Sequence, residues 1–396
     1  MSFVSHLECP RCHLGYEASK LAAVCGCGSP LLVQYDLEHV RRAVTKEAIA
    51  PRATTMWRYW ELLPVSDASA VVTMGEGWTP VVRLENLGGS LDLPHLYLKD
   101  ESVNPTGSLK ARGASCGLSM ARQFNIHDIV LASAGNAGGA WAAYAARGLL
   151  GCHVFMPQDA PEPNRQEVAA YGADLVLVRG LVNDCARAAS EQARLRGWFD
   201  VSAMREPYRI EGKKTLGLEI AEQFEWDPPE VILCPTGGGA GLVGIWKAMR
   251  ELRELGWLRG NHQPLLVAVQ SAGCAPLVRA WESGAEEAQP WERPLTIAAG
   301  LRVPRPFGDR PVLAAIRESG GGAVAITDEQ ILDGMRLLAR QEGLLVCPEG
   351  AATLAAAVLL RDRGVLTSSS RVLLLNTGAG IKYPDALQRA SSRVAP

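Results

Sequence analysis

From Leu96 onward, short apolar runs alternate with longer stretches of helical periodicity. The runs are LYLK (96–99), DIVLAS (128–133), HVFMP (153–157), DLVLV (174–178), VILCP (231–235), LLVAVQ (265–270), AVAIT (323–327) and RVLLLNTG (371–378). The intervening segments are rich in Ala, Leu, Arg and Glu, as in AWAAYAARGLL (140–150) and LGLEIAEQF (216–224). This alternation predicts α/β layers with mostly parallel sheets. Ahead of it, PLLVQYD (30–36) reads as a closing strand, a polar helical stretch carries Trp57 and Trp60, and residues 40–70 form a linker. Internal repeats, low-complexity tracts and coiled-coil heptads are absent.

Composition narrows the function classes. The chain has 396 residues, 40 basic against 42 acidic side chains, a formal charge of −2 and 47% apolar content. Such an even mixture of signs gives no electrostatic reason to expect a nucleic acid or an anionic membrane as partner. The start, MSFVSHLECP, lacks the basic-then-apolar layout of a secretory signal, and the expected location is the cytoplasm. Only eight lysines occur (20, 46, 99, 110, 213, 214, 247 and 382), so a lysine with chemical work to do has few competitors. Of ten cysteines, Cys9, Cys12, Cys25 and Cys27 crowd the first thirty residues. In a reducing compartment, thiols grouped in this way read as zinc ligands before they read as disulfides. Cys25-Gly26-Cys27 leaves one residue where a ribbon knuckle usually has two, so a metal-free remnant of a ribbon is the alternative. His13 is near enough to substitute as a ligand, or else serves the surface.

In open α/β sheets, ligands lie beyond the carboxyl ends of the strands, and four loops there carry chemistry. Asn104-Pro105-Thr106-Gly107-Ser108-Leu109-Lys110 forms a tight turn opening a helix. There the helix dipole and desolvation would favour a neutral, nucleophilic Lys110 amine, and a solvated helix-start lysine is the plainer reading. Ser133-Ala134-Gly135-Asn136-Ala137 lets successive amides converge on a carboxylate, with Asn136 able to donate to a phenolate oxygen, unless it is only a small-residue packing turn. The third loop, Gly237-Gly238-Gly239-Ala240-Gly241, sits between a strand and a helix as a phosphate cradle. Gly239, Gly241 and Gly244 also fit a dinucleotide fingerprint, but the next strand ends in Gln270-Ser271 and offers no acid for a ribose. Finally, the hydroxyl of Thr377, flanked by Asn376 and Gly378, could meet a ring nitrogen or simply end a strand. Together an amine, an amide, an anion cradle and a hydroxyl are the groups needed to hold pyridoxal 5'-phosphate.

The chain resembles the threonine synthase family of fold-type II pyridoxal-phosphate enzymes, which share a tryptophan synthase β-like α/β fold. The likeness lies in the ribbon-like start, GEGWTP (75–80), NPTGSLKARGA (104–114), PYRIEGKKTLGLEIAEQ (207–223), PEGAA (348–352) and NTGAGIKYP (376–384). It implies a zinc-ribbon-like segment over residues 1–45 and a catalytic core over 46–396 with a smaller lobe at about 112–205. Lys110 would then carry the cofactor as an imine, Asn136 would meet its ring oxygen, Gly237 to Gly241 its phosphate and Thr377 its pyridine nitrogen. The loop of Ser133, Ala134, Gly135, Asn136 and Ala137 would take the carboxylate of a small amino-acid substrate, and Arg209 the substrate phosphate. Lys214 would assist Arg209, whereas Lys213 reads as a solvated helix-start residue. The expected assembly is a homodimer.

The implied reaction is conversion of O-phospho-L-homoserine and water to L-threonine and phosphate. Two departures keep alternatives open: Ser133-Ala134-Gly135-Asn136-Ala137 lacks two hydroxyls of the family's usual run, and Ala111 stands where an Asp is usual. The SAGN loop and the GGGAGL cradle are closer to serine/threonine dehydratases. A β-replacement synthase and a catalytically silent scaffold complete the alternatives.

Overall fold

The computed structural model describes residues 2–260 and 262–391. The chain divides into two compact units, one comprising Met1–Trp78, Lys110–Glu222 and Val243–Asn261, the other Thr79–Leu109, Gln223–Leu242 and His262–Pro396. No helix among the described residues is long and apolar enough to cross a membrane.

The first unit holds two sheets. A small antiparallel sheet runs in the order Gly15–Glu17, Val4–Glu8, Leu32–Tyr35, with Leu7 opposite Val33. A parallel four-stranded sheet runs Asp174–Val178, Gly151–Pro157, Asp128–Ala132, Phe199–Asp200. Three helices matter for the site: Lys110–Gln123, Asn136–Gly148 and Tyr208–Gln223. The small sheet has no core of its own. Its Leu7, Leu31 and Val33, with Cys9 and Cys25, pack in one cluster with Cys116 and Met120 of the Lys110 helix and Tyr208. Burying this apolar surface together, at about 25 cal/mol per Å² removed from water, fixes the N-terminal segment onto the helices that carry the candidate site.

The Lys110 and Tyr208 helices cross closely at Gly212, where a Cβ would collide with the carbonyl oxygen of Arg112. Gly212→Ala is therefore expected to destabilise the protein by about 1–3 kcal/mol, the usual cost of overpacking. Denaturant unfolding measures this, and an unchanged midpoint would contradict so tight a crossing.

The second unit is built on one six-stranded sheet in the order Gly322–Ile326, Leu265–Ser271, Val231–Pro235, Val372–Asn376, Leu96–Asp100, Val81–Arg83. All neighbours are parallel except the last pair, where Val81 lies opposite Lys99. Each of the eight apolar runs is a strand here or in the first unit's parallel sheet. The Trp57–Trp60 stretch differs from expectation: it is a 3-10 helix, Met56–Leu62, broken at Tyr59 (φ −97°, ψ 36°). Beside the break, the Arg58 guanidinium donates to the carbonyls of Ile49 and Ala50 and pairs with Glu222 at 2.8 Å.

Candidate active site

In the second unit, the segment leading to Lys110 is fastened to the end of strand Val372–Asn376. Ser108 bridges Gly378, and the Leu109 amide donates to the Thr377 carbonyl at 3.1 Å. Thr106 adopts left-handed backbone (φ 64°), and its carbonyl accepts from the Lys382 ammonium at 3.0 Å. The Leu109 side chain reaches within 4.0 Å of where a Cβ on Gly241 would stand. Thus Leu109, Thr377 and the glycine turn meet within one unit, and Lys110 is the next residue in the chain.

The turn after strand Val231–Pro235 has the form of an anion cradle. A Cβ on Gly237 would strike the Gly300 carbonyl and one on Gly239 (φ 83°) the side chain of Val312, so neither place has room for a side chain. At Gly238 the corresponding position has nothing within 4 Å. The helix Ala240–Leu255 begins immediately afterwards. Its first amides lack intrahelical acceptors, and with the glycines they suit a phosphate dianion.

In the first unit, Lys110 opens its helix and Asn136 opens another. Ser133 folds the loop before Asn136: its Oγ accepts from the amides of Gly135 (3.2 Å) and Gly138 (2.9 Å), and Ala134 and Ala137 add no polar side chain. Asn164 Nδ2 donates to Asn136 Oδ1 at 3.0 Å, which fixes the amide so that Nδ2 is its donor edge.

Arg209 is buried and already well supplied. Its Nε donates to Glu206 at 2.8 Å, a terminal nitrogen donates to the Val201 carbonyl, and the guanidinium lies 4.8 Å from the centroid of Trp141. Lys213, one turn on, is the unexpected residue. The expectation of a solvated side chain is corrected: Lys213 is 6% exposed, and its Cε comes within 3.4 Å of where a Cβ on Gly113 would be. Gly113 follows Lys110 by three residues and so shares its helix face. Among the described residues no hydrogen bond or ion pair holds the Lys213 ammonium. Burial, then the charges of Lys110 and Arg209, push its pKa well below the usual lysine range, with Glu206 opposing.

Lys214 turns the other way. Its ammonium is fully buried 2.7 Å from Glu211 and 2.8 Å from Glu251, beside Lys247, and 3.8 Å from the Tyr35 ring centroid. Tyr35 also donates to Glu211 at 2.9 Å. This balanced set of charges ties the N-terminal sheet to the Tyr208 helix. Arg112 and Glu219 form another buried pair, at 2.6 and 2.7 Å.

The four N-terminal cysteines converge, with all four sulfurs within 4.8 Å of one another. Cys9 faces Cys27 and Cys12 faces Cys25, each pair at 3.5 Å. The short Cys25-Gly26-Cys27 knuckle is closed by Gly28 in left-handed backbone (φ 84°) and by the Cys25 amide bonding to the Ser29 carbonyl. The Tyr16 hydroxyl donates to Cys25 at 3.2 Å and, with the Cys27 amide, lowers its pKa to about 6. His13 lies away from the cluster's ligand set, 3.0 Å from Glu8.

Sequence reasoning passed over Glu206 and Cys347. Cys347 looked like one more isolated thiol in small-residue company, and its one sequence signal is its place directly before PEGAA.

The family model of the pyridoxal-phosphate dependent enzymes matches residues 72–378. This defines the class: a fold-type II enzyme of that cofactor. Among solved structures, the processed threonine deaminase isoform 2 of Solanum lycopersicum shares the fold, with a TM-score of 0.68, 21% identity and coverage of 85% of this chain and 92% of that one. Threonine synthase of Methanocaldococcus jannaschii is 34% identical over 385 residues, 97% of this chain and 94% of the relative. That of Methanosarcina acetivorans is 33% identical over 96% of this chain and 93% of its own. The chain belongs to the threonine synthase family.

Proposed function

We propose that this protein is a lyase converting O-phospho-L-homoserine and water to L-threonine and phosphate. One observation carries the choice of substrate: buried beside the Lys110 helix, Arg209 is paired with Glu206, while Lys213 has no ion-pair partner among the described residues. A dianionic phosphate supplies the missing negative charge, and charge-assisted hydrogen bonds to it are strongest in such a setting. A substrate without phosphate would bring no such charge to that buried amine. Lys214, already held between Glu211 and Glu251, belongs to the support of the helix in this reading, so Lys213 takes the role expected of it.

When bound, pyridoxal phosphate supplies an electron sink for the pair left at the substrate's Cα. The chain's residues do the rest. Gly237, Gly238, Gly239, Ala240 and Gly241 would hold the cofactor's phosphate on backbone amides. Asn136 Nδ2 would donate to the ring oxygen, and Thr377 Oγ1 would meet the pyridine nitrogen. The loop of Ser133, Ala134, Gly135 and Ala137 binds the substrate carboxylate. Lys110 Nζ anchors the cofactor at rest and, as a free amine in turnover, takes the Cα proton and serves the proton transfers at Cβ and Cγ. The Cγ–O bond breaks with phosphate leaving onto Arg209 and Lys213. The proton taken from Cβ then arrives at Cγ, water adds its hydroxyl at Cβ and gives its other proton to the released phosphate, and a proton returns to Cα to leave L-threonine.

Cys9, Cys12, Cys25 and Cys27 hold a structural zinc ion in this reading, supported by the mutual approach of their sulfurs. About one zinc per chain is expected, lost in Cys25→Ser; a metal-free wild-type protein of equal stability would refute this. A homodimer in the cytoplasm completes the proposal.

The deciding experiment incubates the pure protein with O-phosphohomoserine and with threonine in parallel. Phosphate and threonine are expected from the first and nothing from the second. Formation of 2-oxobutyrate from threonine without phosphate release from O-phosphohomoserine would establish a dehydratase instead. That alternative draws on Ala134 and Ala137, which remove hydroxyls from the substrate loop.

A further inference from the structure

We infer that Cys347 is a positioning residue for the cofactor ring, acting through the hydroxyl of Thr377. The inference rests on the reading that Thr377 meets the pyridine nitrogen, and it adds a residue that this reading does not contain. Cys347 Sγ lies 3.6 Å from Thr377 Oγ1, and it is the hydroxyl's one hydrogen-bond partner among the described residues.

The sulfur is itself fixed from several directions. Cys347 is the N-cap of the helix Pro348–Asp362, and its Sγ accepts from the Gly350 amide at 3.3 Å. Its thiol donates to Asn376 Oδ1 at 3.4 Å, and its backbone amide donates to the Gly378 carbonyl at 3.1 Å. Asn376 is held in turn by its Nδ2 donating to Asp100 at 2.8 Å. Cys347 therefore grips the residues on both sides of Thr377 and touches its side chain, while the Thr377 carbonyl takes the amide of Leu109, the residue before Lys110. The thiol is fully buried, and burial, with Glu349 adding to it, raises its pKa above the usual range, so it stays protonated and uncharged.

The consequence is chemical. A threonine hydroxyl is free to rotate unless a second group holds it. Donation of the thiol proton to Asn376 leaves a sulfur lone pair facing Thr377, a weak acceptor that keeps the hydroxyl on the correct side but yields to a better one. A pyridine nitrogen is such an acceptor. A neutral sulfur thus orients the hydroxyl without competing for it, and no carboxylate among these contacts reaches Thr377 Oγ1.

The test uses the full chain loaded with cofactor labelled with ¹⁵N in its ring, in wild type, Cys347→Ala and Cys347→Ser. Cys347→Ala is expected to raise the cofactor dissociation constant about tenfold, the weight of one buried hydrogen bond, and to move the ring ¹⁵N shift. Cys347→Ser, which restores a polar partner, is expected to recover the wild-type shift and most of the affinity. Unchanged affinity and shift in Cys347→Ala would overturn the inference. So would equal loss in both variants at unchanged melting temperature, because that outcome reports packing rather than hydrogen bonding. If wild type itself fails to bind the cofactor, the failure lies with the cofactor reading and not with Cys347.

Discussion

Lys110→Ala is expected to lower threonine formation from O-phosphohomoserine by at least about a thousandfold, because in the proposed reading one side chain both anchors the cofactor and carries the proton transfers. The neighbouring amines do not take over. Lys213 serves the phosphate in the proposed reading, and Lys214 is locked between Glu211 and Glu251. Lys110 begins its helix directly after Leu109, whose amide is tied to Thr377, so the amine's origin is fixed by backbone and a longer or shorter side chain cannot replace it. The steady-state rate with saturating cofactor and substrate measures the effect. The variant should remain folded, with its melting temperature near that of wild type, and added small primary amines should restore part of the rate. Retention of more than about a tenth of wild-type activity would remove Lys110 from the chemistry.

Arg112→Met is expected to produce the largest loss of stability, about 3–5 kcal/mol, by leaving the fully buried Glu219 carboxylate without its cation. Glu219 accepts from both terminal nitrogens of Arg112 and from the Trp78 amide at 2.7 Å, and Arg112 also donates to Thr215 at 3.0 Å. Desolvation makes the isolated charge costly, whereas replacing both partners removes it. The double variant Arg112→Met with Glu219→Leu should therefore recover much of the loss. Denaturant unfolding of the two single variants and the double gives the coupling directly. A loss below about 1 kcal/mol in Arg112→Met would show that the pair is solvated rather than buried.

The parallel strands were legible because each is a continuous apolar run bounded by turn residues, the pattern of a strand covered on both faces. Val81–Arg83 and Phe199–Asp200 were not, since two or three residues carry no periodicity and depend on a neighbouring strand for their register. The cofactor loops were readable for a similar reason: glycines before a helix have a local meaning. The two adjacent lysines had none. Lys213 and Lys214 differ by 100° of helix rotation, and their environments are set by Gly113 on one side and by Glu251 and Tyr35 on the other. All three partners are distant in sequence, so Lys213, which reads as solvated, and Lys214, which reads as assisting Arg209, become two buried side chains with different surroundings. Cys347 was obscure likewise, because its meaning comes from Thr377, thirty positions later on another element.

The central claim is that the amine at position 110 is bonded to the cofactor, and borohydride reduction followed by peptide mapping tests it most directly. Loss of the protein's violet-edge absorbance, with a reduced pyridoxyl group on the tryptic peptide containing Lys110, is the predicted result. A label found on Lys213 or any other lysine, or a protein that takes up no cofactor at all, would contradict it.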